Sequence, residues 1–124
     1  MALSNIKATD REVELRHPAT DEGLGMYFSL RSPHSDEVRK AERAWLNKRL
    51  AKKKQNLTAE SLEAAAEAKI EAAVSGWRFE GDVEIGGEQP QFSPQALRSL
   101  IRDHVWIRQF LDEELGDMAG FFTE

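Results

Sequence analysis

The chain contains no cysteine, which excludes disulfides and thiolate metal sites and suits a reducing cytoplasm. It has only three histidines, His17, His34 and His104, too few and too scattered for a metal set. No stretch approaches the roughly 20 apolar residues that span a bilayer, and the opening MALSNIKATDREVELRH lacks the apolar core of a secretory signal. The expectation is a cytoplasmic protein without a membrane partner. Catalytic patterns are missing as well. Carboxylates are plentiful, but none combines with a His, Ser or Lys in a known constellation. Gly23-Leu24-Gly25 is a GxG placed in a hairpin-like loop, not between a strand and a helix, which argues against a phosphate cradle. The reading is a non-enzyme that needs no cofactor and no metal.

What is present is one modest domain: 124 residues, 40% hydrophobic and 31% charged. The net charge of −5 is unevenly spread. Residues 36–56 carry eight Lys/Arg against three Asp/Glu, whereas residues 57–124 carry five against fourteen. A basic segment in an acidic protein can pair internally, meet a second copy, or hold an acidic partner. The larger acidic part would repel phosphates, so nucleic acid is a disfavoured partner.

Residues 12–16, EVELR, alternate polar and apolar as a half-buried strand does, and MYFSLRS resumes that pattern after the turn-rich HPATDEGLG. We expect a β-hairpin over 12–32, packed on helices or paired elsewhere because a lone hairpin is marginal in water. Residues 1–11 stay outside the elements as a candidate for disorder. Ser35 caps a helix over 36–54, with Val38, Ala41 and Trp45 on one face and the basic run KRLAKKK at its end. After a break at Gln55-Asn56, Thr58 caps a second, alanine-rich helix over 59–75. Its apolar stripe is Leu62, Ala66, Ile70 and Ala73, with a separate acidic row of Glu60, Glu63, Glu67 and Glu71. Like charges four apart weaken a helix, so cations must compensate, and the basic end of the preceding helix is the nearest source.

Gly76-Trp77 is read as that helix's end, and 77–92 as a link with one or two short strands turning at Gly86-Gly87. Ser93-Pro94 then starts another helix, since a serine cap followed by proline at the first helical position is a strong start signal. From 93 to 122 the stripe is Leu97, Leu100, Ile101, His104, Leu111, Leu115, Met118 and Phe122, with a bend near Asp103-His104. His104 is taken as a hydrogen-bonded core histidine. Trp106, Phe110 and Phe121 fall on a second side, which marks them as candidate partner contacts. Core packing is the reading for Trp45 and Trp77. The fold class expected is mainly α with a small N-terminal β-hairpin (α+β), about four helices in a single domain.

The stretch RHPATDEGLGMYFSLRSPHSDEVRKAERA resembles the opening of tail assembly chaperones of long-tailed bacteriophages and prophages. An Ala/Glu-rich helix ending in Gly-Trp, a short acidic link, Phe-Ser-Pro and a helix bearing WIRQFLDEEL follow in the order seen in that family. The likeness runs from about residue 12 to 122. The departure is the long basic tail of the first helix. The resemblance implies a binding role: coating the tape measure protein, a long helical ruler, recruiting tail tube subunits, and being absent from the finished virion. It also implies that the chain could be the short product of a frameshifted pair. Release from the ruler calls for moderate affinity per copy and hence several copies acting together. Homo-oligomers are therefore expected, with Lys48, Arg49, Lys52 and Lys53 of one copy meeting Glu60, Glu63, Glu67 and Glu71 of the next. Trp106 and Phe110 would contact the ruler or a second copy. The competing class is a small regulatory or nucleic-acid-binding protein using the basic helix end at 48–54.

Overall fold

The computed structural model describes residues 9–32, 35–51 and 59–121. Two strands, β1 (Arg11–Arg16) and β2 (Gly23–Leu30), form the antiparallel hairpin expected from the alternation, with Val13 opposite Phe28 and Glu14 opposite Tyr27. Gly23 and Gly25 belong to β2, not to the connecting loop as the sequence suggested. Gly25 takes φ +79 and lies so close to Gly81 that a β-carbon there would come within 2.7 Å of its amide nitrogen. The loop is organised by His17, whose Nδ1 accepts hydrogen bonds from the amides of Ala19 and Thr20 at 3.1 and 3.2 Å.

Helix α1 (Asp36–Ala51) begins where Ser35 Oγ accepts from the Val38 amide, with Asp36 and Glu37 in the first turn. Helix α2 (Ala59–Ala73) then runs without any intervening turn into a third strand, β3 (Val74–Phe79), which pairs antiparallel with β2. Gly76-Trp77 is therefore not a helix end. Trp77 sits opposite Phe28 inside a three-stranded sheet of order β1-β2-β3, and the expected link is a strand for its first three residues. The pairing partner that the hairpin needed is this strand. The end of α2 is sealed from the sheet side: Arg31 donates its amide to the Ala73 carbonyl at 2.7 Å and its guanidinium to the Ala72 carbonyl at 2.8 Å. The helix has no cation of its own in the last turn, so this borrowed arginine satisfies its terminal carbonyls.

Beyond β3, Gly86 and Gly87 turn the chain with φ +63 and +84, and Ile85 and Glu88 form a bridge. Ser93 caps α3 (Pro94–Asp103) by accepting from the Ala96 amide at 3.0 Å, with proline in the first helical turn as its sequence requires. At His104, with φ −130 and ψ 86, the helix breaks and α4 (Val105–Gly116) starts in a new direction, followed by a short 3-10 turn, Met118–Phe121. His104 is exposed at this joint, so it is not the core histidine its spacing suggested. The break instead puts Ile107 on the buried side with Leu111 and Leu115.

The helices cover one face of the sheet. Between the layers lie Leu15, Met26, Phe28 and Leu30 from the sheet, Val38, Ile70 and Ala73 from the helical hairpin, and the buried leucines and isoleucines of α3 and α4. Trp77 packs edge-on against Phe28 and Phe92, with centroids 6.1 and 5.1 Å away, and its Nε1 donates to the Pro90 carbonyl at 2.9 Å. The opposite sheet face carries charge: Arg78 binds both Glu12 and Glu80 and lies 4.2 Å above the Tyr27 ring. No helix among the described residues is long and apolar enough to cross a membrane.

Candidate functional site

Of the three aromatic residues expected to face a partner, Phe121 is fully buried. Its ring lies 4.8 Å beneath the Arg11 guanidinium, and its carbonyl accepts from the Thr9 amide. Arg11 also binds the Glu114 carboxylate and donates to the Glu114 carbonyl at 2.9 Å. Phe121 is thus core, held by β1, because the 3-10 turn after α4 swings it inward. Trp106 and Phe110 are half-buried and pack against the core cluster. Their remaining surface lines a small cleft of about 250 Å³ together with Arg16, His17, Pro18 and Asp21 of the hairpin turn. The hairpin therefore covers much of the second apolar side of α4, a cover that periodicity along one helix could not reveal.

The acidic row of α2 also has its partners within the chain. Glu71 binds Arg98 at 2.7 Å, Glu67 binds Arg102 at 3.4 Å, and Glu63 lies 3.9 Å from Arg108. Arg98 and Arg102 stand one helical turn apart on α3, matching the four-residue spacing of the glutamates, and Arg108 continues the series from α4. The hydrogen bond and charge of Glu71 raise the Arg98 pKa above its ordinary value. Glu67 and Glu71 thus have their cations within the chain, while Glu63, 58% exposed, stands at the open end of the row. Lys48 is exposed on α1, whereas Lys52, Lys53 and the side chains of Arg49 and Glu60 fall outside the described residues, as do His34, Thr58 and Phe122.

The surface that remains apolar lies elsewhere. Alanines on α2 leave room beside α1, and the result is an open groove of about 560 Å³. Trp45 and Leu46 of α1 and Leu62, Ala65 and Ala66 of α2 supply half of its lining, and Asp112 of α4 stands at its edge. Leu46 is 50% exposed and Leu62 57%, while the other exposed large hydrophobic among the described residues is Val105, at the start of α4. Trp45 is half-buried on this groove, not in the core as its helix face suggested. A second hollow of about 210 Å³ continues from Leu62 and Ala66 to Arg108 and Gln109. The groove's rim carries Glu42, Lys69 and Asp112, none of which has an ion pair among the described residues.

The groove offers apolar contact with charges at its margin, the arrangement that receives one face of an amphipathic helix. No group of three or more His, Asp or Glu able to hold a metal ion occurs among the described residues. No known protein family, curated protein or solved structure matches the chain.

Proposed function

We propose that this protein is a non-catalytic tail assembly chaperone of the long-tailed phage type, acting in the host cytoplasm and absent from the finished virion. In this reading it covers the apolar stripe of the tape measure protein, recruits tail tube subunits, and works as a homo-oligomer. The order of elements that carries the resemblance supports it. The single observation that weighs most is the open groove between α1 and α2, where Leu46 and Leu62 leave half or more of their surface in water. An exposed apolar groove is costly to solubility unless something fills it, and a ruler made of amphipathic helix has the shape to do so. This moves the partner surface from α4 to the helical hairpin. Trp106 and Phe110 then act mainly by packing.

The test is coexpression with the long coiled-coil product of the neighbouring reading frame. The wild-type chain should keep that product in the soluble fraction and copurify with it, and the doubly substituted Leu46→Asp, Leu62→Asp chain should do neither. Equal precipitation of the ruler with and without the chaperone would overturn the reading. The nucleic-acid alternative rests on the basic helix end 48–54, of which Lys52, Lys53, Lys54 and the Arg49 side chain lie outside the described residues.

A further inference from the structure

We infer that, in the free protein, the α1–α2 groove is closed by the same groove of a second copy, so that partner binding must displace a dimer. The inference builds on the chaperone reading by naming what regulates its site. Three observations favour a second copy as the occupant. The first is shape: the same patch carries protruding leucines, Leu46 and Leu62, and the space left by short side chains such as Ala66. Knobs and holes in one patch are what a two-fold contact requires, since each copy must supply both.

Charge is the second. The rim holds both signs, Glu42 and Asp112 against Lys69, and none is ion-paired among the described residues. Two copies meeting head to head can set each Lys69 beside the other's carboxylates. By contrast, the α2 glutamates next to this patch are already committed to Arg98, Arg102 and Arg108. The net charge of −5 opposes association only weakly, because charges separated by more than about 8 Å are screened at physiological salt.

The third is size. Helices of 16 and 15 residues are about 24 and 22 Å long at 1.5 Å per residue. A contact confined to two such hairpins falls below about 1,200 Å² in total, the range of weak, transient association. A contact of that extent is reversible, as a displaceable cover has to be.

Sedimentation equilibrium of the full chain over micromolar to millimolar concentration tests this, with circular dichroism to confirm folding of each variant. The wild type should show a monomer–dimer equilibrium. Leu62→Asp, at an exposed position, should raise the dissociation constant at least 100-fold, and Lys69→Glu alone roughly tenfold. Reversing all three rim charges (Lys69→Glu, Glu42→Lys, Asp112→Lys) should restore the dimer while reducing mixing with wild-type chains. A wild type that stays monomeric throughout, a dimer indifferent to Leu62→Asp, or a reversed triple variant that fails to recover would each overturn the inference. No ruler protein enters the measurement. A dimer that leaves the ruler insoluble therefore sinks the chaperone reading alone, and a strict monomer that solubilises the ruler sinks this inference and the homo-oligomer while leaving ruler binding in place.

Discussion

Glu12 and Arg78 belong to strands on either side of β2, and their side chains meet across Tyr27 on the open face of the sheet. The hydrogen bond from Arg78 holds the Glu12 carboxyl below its ordinary pKa of 4.5. A depressed folded-state pKa contributes stability that is fully present above the unfolded value and lost as pH falls through the folded one. The pair thus supports folding at neutral pH and ceases to do so only in acid. A carboxyl NMR titration should place the Glu12 midpoint under 4.5, and Arg78→Gln should return it to the ordinary range; an unchanged midpoint would remove the pair from the account. Trp77 behaves differently, since it joins sheet to link by packing on Phe28 and Phe92 and by its bond to Pro90. Truncation to alanine should cost about 3 kcal/mol in urea unfolding. The sequence foretold a packing tryptophan here but put it at a helix end, because a glycine before it looked like a terminator.

At the level of elements, caps were the most legible feature. Ser35 and Ser93 sit where their sequence signals placed them, each accepting from an amide three residues on. Ser93→Ala should lower stability by about 1 kcal/mol, read as a shift in the urea midpoint with unchanged slope. A Ser93→Ala protein as stable as wild type would mean that Pro94 alone fixes the start of α3. The hairpin, the turn at Gly86-Gly87 and the break at His104 were likewise visible, since alternation, paired glycines and a disturbed period are local properties. Strand β3 was only half legible. Val74, Trp77 and Phe79 have strand propensity, but their commitment depends on β2 offering an edge across more than forty residues of chain. The termination of α2 by Arg31 was invisible for the same reason: the cation that caps the helix lies in another element.

Over the whole molecule, three glutamates on α2 and three arginines on α3 and α4 tie the helical layer together. Along the sequence the glutamates form an unbalanced row whose nearest cations lie in the adjacent basic segment. Their partners Arg98, Arg102 and Arg108 are not legible there, because which helix lies beside which is a tertiary fact. The same limit explains the candidate site. Periodicity along the last third of the chain counted two apolar sides, and the hairpin turn and β1 cover much of the second. The surplus apolar surface falls instead on an alanine-rich helix, where small residues looked like mere helix formers yet leave a groove by being small. That helix has a further property. Because Ala73 and Val74 are adjacent in sequence, α2 and β3 share a peptide bond and no slack. The helix that lines the groove and the strand paired with Phe28 are therefore one continuous piece of chain, with no loop in which one could shift independently of the other.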